Sequence, residues 1–261
     1  PLAPVSSASE YAFVLSDDGQ NATRHGTAIA SALPASGRGR QVVAVVPWSK
    51  LSWHSASLPP GLATGQRRQQ ARLRAALDGL LEEQLLDDPG QLHLALAPDA
   101  AAGSRCWIAA CDKAWLRSHL QALENARLPV DRIAPEISPH SEPTAWTVGD
   151  ADSPWLLATG LDGIPGIAML PLRGEGMALG ALLQSLPEDT TIQAEPATAP
   201  FAEELGRPMA LIPAAQRALA ASASGWDLAQ FELDQGRQSR MRRQALSSWQ
   251  GFWRAGEWRA A

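Results

Sequence analysis

Two aspartate–glycine turns are the places where this chain has the residue types to hold a phosphate. Asp17-Asp18-Gly19-Gln20 and Leu161-Asp162-Gly163 each follow a predicted strand. One class of ATPases grips its nucleotide between two hairpins of this kind. That grip needs Gly, Ser or Thr donors in tight order behind the turn. Here the first turn reads DDGQNA and the second LDGIPG. Pro165, close behind the second, has no N–H to donate. As phosphate sites both read as degenerate, and ordinary hairpin turns account for the residues.

The other familiar constellations are missing. The chain has no G-x-x-x-x-G-K-[ST] loop, no G-x-S-x-G elbow and no H-E-x-x-H pair. His25, His54, His93, His119 and His140 are scattered without an i, i+4 pair. His93, between leucines, reads as a packed or surface residue. Cys106 and Cys111 flank a predicted strand and read as small buried residues, not as a bridge or a metal site. Glu82-Glu83 and Asp87-Asp88 are paired acids, but neighbours diverge around a helix and make no acid/base dyad. The expectation is a chain without catalytic residues, metal or cofactor.

Composition bounds the remaining options. A length of 261 residues, 45% hydrophobic and 19% charged, suits one large domain or two lobes with a real core. No apolar run reaches about eighteen residues, so no membrane span is expected within the chain, and no signal peptide is read. It opens on Pro1, which implies flanking sequence. The net charge of −5 is uneven. Residues 236–261 carry six arginines and one glutamate, a net of +5, leaving −10 on the rest. An acidic body repels nucleic acid, whereas the tail can meet phosphate, acidic lipid or an acidic protein.

The elements that must position these residues are legible in outline. Strands are predicted at 11–15 and 23–29 around the first turn. The run 41–47 (QVVAVVP) reads as a strand buried on both faces, with 51–58 as its partner. Leu73, Ala76, Leu77, Leu80, Leu81 and Leu85 make one apolar helix face, starting near Gln66 and about 30 Å long. Asp87-Asp88-Pro89-Gly90 stops that helix, and Leu92, Leu94 and Leu96 begin a strand. The helix carries Arg67 and Arg68 in its first turn and its acids in the last, the reverse of what the dipole favours. Those acids read either as a solvated face or as a contact for a partner. A strand at 106–110 leads to a helix over 113–126 capped by Asp112, and 130–137 reads as a strand broken at Pro135. Residues 138–143 form a proline-rich break between a first lobe at 1–140 and a second at 141–235. The second repeats the pattern with strands at 146–148, 155–159, 167–170 and 190–194. Its helices are predicted at 177–186, 199–205 and 214–221. Residues 236–261 form a basic, tryptophan-rich tail. Arg237, Arg240, Arg242, Arg243, Trp249 and Trp253 fit equally a helix packed on the body and a segment at a membrane surface.

Four stretches taken together resemble a known family. They are VVAVVPWSKLSWHSASLP at 42–59, LDGLLEEQLLDDPGQLHLALA at 77–97, DKAWLRSHLQALENARLPVDRIAPE at 112–136 and WDLAQFELDQGRQSRMRRQA at 226–245. The chain resembles the cytoplasmic part of type II secretion system protein L, also called general secretion pathway protein L. Residues 140–224 contribute nothing to the likeness. The resemblance implies an α/β, actin-like two-lobed fold with RNase H-like lobes and a degenerate nucleotide site. It also implies a non-enzymatic scaffold at the cytoplasmic face of the bacterial inner membrane, followed by a single span. The implied partners are the N-terminal domain of the secretion ATPase (protein E), protein M, protein F, and a second copy as a homodimer. The tail would then lie against acidic lipid, and Glu82, Glu83, Asp87 and Asp88 would be part of the contact with the ATPase. Two rivals remain: a pilus-assembly platform protein of the same fold, and an active actin-like ATPase or sugar kinase working through Asp18 and Asp162.

Overall fold

The computed structural model describes residues 5–6, 8–35, 37, 40–61, 69–174 and 176–234. Glu10–Leu15 (β1) and Arg24–Ile29 (β2) form an antiparallel ribbon around the first aspartate turn. Val43–Val46 (β3) pairs in parallel with Arg132–Pro135 (β7). Ser52–Ser57 (β4), Arg105–Asp112 (β6) and Leu92–Leu96 (β5) form an antiparallel sheet in the order β4-β6-β5. The expected pairing of 41–47 with 51–58 is therefore not the one formed. A 3₁₀ turn at Trp48–Lys50 carries the chain away from β3, and β4 finds its partner in β6. Pro135 sits at the end of β7 without breaking it, a position where a missing donor costs little.

Two helices cover this β4-β6-β5 sheet, one on each face. Gln70–Leu81 (α1) buries Leu73, Leu77 and Leu81 against Leu92, Leu94, Leu96, Ile108 and Leu58. The helix has 12 residues and is about 18 Å long, shorter than its apolar pattern predicts. The regular helix ends at Leu81, whose carbonyl still accepts from Gln84 N at 2.8 Å and Leu85 N at 2.9 Å. The expected start at Gln66, with Arg67 and Arg68, lies outside the described residues. Lys113–Asn125 (α2) covers the other face through Leu116, and Asp112 caps it by accepting from Trp115 N at 2.7 Å. Because β5 is covered on both sides, its leucines face α1 while Ala95 faces the α2 cluster. Cys106 and Cys111 are free, buried thiols on these two opposite faces. Burial, with Asp112 and Glu232 nearby, pushes the Cys111 thiol up to about 12.

The second half forms one five-stranded sheet. Thr144–Gly149 (β8), Pro154–Leu161 (β9) and Ile164–Pro171 (β10) are antiparallel neighbours. Ile192–Ala194 (β11) and Met209–Leu211 (β12) add in parallel on the other side of β8. The crossovers that parallel pairing requires are Gly176–Ser185 (α3) and Ala199–Glu204 (α4). Ala145, Leu156, Ala158, Ile192 and Ala194 meet Leu182 and Ala202 of these helices. Strand β12, missed in the sequence, is only three residues long.

Ala214–Ala223 (α5) then turns the chain back toward the N-terminal strands. The segment 224–234 lies across them. Trp226 and Leu228 join the α2 cluster, and Phe231 joins the α1 cluster. Leu228 N donates to Ile133 O at 2.7 Å, and Arg132 holds the carbonyl of Ser224 at 2.5 Å. The Gln230 side chain brackets the outer edge of β5, accepting from Leu96 N at 3.1 Å and donating to Leu96 O at 2.8 Å. Glu232 lies 3.4 Å from both His93 Nδ1 and Lys113 Nζ, with Arg117 at 3.9 Å. His93, packed as expected, also donates from Nε2 to Leu228 O at 2.7 Å. The whole basic tail, including Arg237, Arg240, Arg242, Arg243, Trp249 and Trp253, lies outside the described residues.

Candidate functional site

In open α/β sheets ligands bind in the crevice beyond the carboxyl ends of the strands. In this molecule three charged side chains occupy that place. Glu136 stands one residue past β7, and Glu195 one residue past β11. Arg217 of α5 reaches both. Its Nε and Nη2 donate to Glu136 Oε1 at 2.9 and 2.7 Å, and Nη2 also donates to Glu195 Oε1. The second oxygens are used as well. Glu136 Oε2 accepts from Trp48 N at 3.0 Å, and Glu195 Oε2 accepts from Gly149 N at 3.3 Å. Arg217 is only 8% exposed. Burial alone would weaken its charge, but the two carboxylates reverse the effect and hold the guanidinium above its usual range.

The first aspartate turn borders this crevice, because Gln216 of α5 donates to Gln20 O at 3.0 Å. The Asp18 carboxylate is consumed within its own loop. Its Oδ1 accepts from Gln20 N and Asn21 N, each at 2.8 Å, and from Ser16 Oγ at 3.0 Å. Its Oδ2 accepts from Asn21 Nδ2 at 2.8 Å. These donors, those of Asn21 foremost, hold the carboxyl far below the usual range. Asp17 pairs with Arg40 at 2.6 Å.

Asp162 is exposed in the β9–β10 turn, and the crevice is bordered by a different hairpin. The turn tied to Glu195 is the one between β8 and β9. There Asp150 Oδ1 accepts from Asp152 N at 3.0 Å and Ser153 N at 2.7 Å. The signal for it was present in GDADSP, an aspartate turn directly after a predicted strand. Arg217 was also overlooked. A single arginine in the alanine-rich AAQRALAASA is its only local mark.

The four acids proposed for partner contact lie together after α1. Glu82, Glu83 and Asp87 are exposed. Asp88 is exposed too, but its Oδ1 is committed to Gly90 N at 2.9 Å and caps a 3₁₀ turn. Leu86, between the acid pairs, is fully exposed. Arg74 fixes the base of this loop, donating from Nη2 to Pro89 O at 2.6 Å and Leu92 O at 2.9 Å. Among the described residues, no group of three or more His, Cys, Asp or Glu side chains is arranged to hold a metal, and no helix is long and apolar enough to cross a membrane.

The chain is similar to several known proteins. The family described as type II secretion system (T2SS), protein L, matches residues 3–163. The type II secretion system protein L of Dickeya chrysanthemi is 29% identical over 114 residues, which is 43% of this chain and 26% of that protein. The match thus spans about a quarter of the relative's length. Among solved structures, the cytoplasmic domain of EpsL, an inner membrane component of the type II secretion system of Vibrio cholerae, aligns with a TM-score of 0.58. It is 18% identical and covers 86% of this chain and 93% of that one. The PilM-PilN type IV pilus biogenesis complex aligns at 13% identity with a TM-score of 0.47, over 88% of this chain and 90% of that chain. The α/β actin-like fold expected from the sequence is the fold observed.

Proposed function

The chain belongs to the type II secretion system protein L family, and we propose that it works in that machine as a non-enzymatic platform at the cytoplasmic face of the inner membrane. Its task is to hold the N-terminal domain of the assembly ATPase, protein E, and to connect it with proteins M and F. The loop at 82–88 carries this reading. Four acids surround a fully exposed leucine, Leu86, on a loop whose base Arg74 pins to the body. A charged rim around an apolar point suits a partner with a basic face and a shallow apolar pocket. The crevice agrees with a platform. The groups that could receive a ligand there are bonded to one another. The basic tail supplies the membrane side, since each arginine near an acidic leaflet contributes about 1 kcal/mol.

The test is capture of the ATPase N-terminal domain by the full chain. Glu82→Lys, Glu83→Lys and Asp87→Lys combined should weaken capture, most at low salt, where rim charges act furthest. Undiminished capture by a folded triple variant would remove this loop from the interface. Clear ATP–Mg²⁺ binding by calorimetry would overturn the non-enzymatic reading itself.

A further inference from the structure

We propose that Arg217, Glu136 and Glu195 form a clasp that fixes the angle between the N-terminal strands and the C-terminal sheet, with the guanidinium serving as a resident ligand across the crevice. Each glutamate is rigid with its own side. Glu136 N donates to Val46 O at 2.9 Å and its Oε2 holds Trp48 N, so it moves with β3 and β7. Glu195 N donates to Thr147 O at 3.0 Å and its Oε2 holds Gly149 N, so it moves with β8 and β11. Each carboxylate has one oxygen committed to its own side and the other aimed at Arg217. A single nitrogen, Nη2, touches both.

Hydrogen bonds from Gln216 to Gln20 O at 3.0 Å and from His140 N to Thr159 Oγ1 at 3.1 Å also cross here, beside apolar contacts. Trp48 and Trp155 meet at a tilt of 55° with ring centroids 5.8 Å apart, and Gly166 of β10 lies against Trp53 and Trp107. Such contacts tolerate sliding, whereas hydrogen bonds to charged groups define direction as well as distance. Without the guanidinium, two carboxylates would face each other in a poorly solvated crevice. Their repulsion would favour opening.

The clasp predicts a specific chemical rescue in the full chain. In Arg217→Ala the amides of Trp48 and Gly149, both bound by the clasp carboxylates, should exchange with deuterium at least about tenfold faster. Millimolar guanidinium ion should restore their protection, and sodium at the same ionic strength should not. Arg217→Lys keeps the charge but not the planar fork, and should also exchange faster. Should Arg217→Ala fold only when guanidinium is present, the clasp is supported. Unchanged protection of both amides in folded Arg217→Ala or Arg217→Lys overturns it, as does loss of protection that sodium restores equally well.

Discussion

The Gln230 side chain is the most exacting place to test how the last described segment is held. Its amide satisfies both main-chain groups of Leu96 on the outer edge of β5. Leu96 is 3% exposed, so water has little access to replace those bonds. A formed hydrogen bond contributes about 1 kcal/mol net, but each buried group left unpaired costs about 1–3 kcal/mol. Two stranded groups put Gln230→Ala at about 2–6 kcal/mol of lost stability. Gln230→Met removes the same bonds while keeping most of the volume. If hydrogen bonding dominates, the two variants should lose similar amounts in urea unfolding, read by linear extrapolation. Exchange of the Leu96 amide should accelerate by about 30-fold for each 2 kcal/mol lost. A native-like Gln230→Met would show that filling space, and not hydrogen bonding, is what holds this segment. A loss below about 0.5 kcal/mol in both variants would refute the role of the hydrogen bonds as well.

Burial works to raise the Glu232 carboxyl, but the His93 hydrogen bond and the nearby charges of His93 and Lys113 win, pulling it down to about 2. A depressed carboxyl stabilises the fold above its unfolded value and loses that effect as pH falls. The stability advantage of the native chain over Glu232→Gln should therefore be complete above about pH 4.5 and vanish toward pH 2. An advantage independent of pH in that window would contradict the assignment. Gly160 has φ +73, and a methyl there would strike the Glu142 carbonyl and lie 2.7 Å from Pro143 N. Gly163 has φ +76 with open space around it. Gly163→Ala should thus cost only backbone strain, about 1–3 kcal/mol, while Gly160→Ala should prevent a cooperative unfolding transition. Equal melting of the two variants would show that the collision is relieved cheaply.

Periodicity made the local elements legible. Leu73, Leu77 and Leu81 at helical spacing are the residues α1 buries, and Asp112 caps α2 where the sequence places it. The sequence does not disclose partners. β4 follows β3 closely and still pairs with β6, because pairing depends on where the Trp48–Lys50 turn sends the chain. The site was less legible than the fold for the same reason. Glu136, Glu195 and Arg217 are far apart in sequence and unremarkable singly, and only the ends of parallel strands bring them together. Asp162 was the more conspicuous turn, yet Asp150 borders the crevice. Phe231 gives no local hint that it enters the core beneath α1 with a left-handed backbone, φ +51.

The return of residues 226–231 to the N-terminal strands has a consequence for synthesis on the ribosome. Strands β8 to β12 and their helices occupy one uninterrupted stretch, so the C-terminal sheet has all its parts once residue 211 has emerged. The N-terminal core, although made first, lacks Trp226, Leu228 and Phe231 until the end. Domains usually complete themselves in the order in which they are translated. In this chain the later half can settle while the earlier half still waits with apolar surface uncovered. Slow translation between residues 211 and 231 would lengthen that wait, and a chaperone that shields the α1 and α2 clusters would be needed longest there.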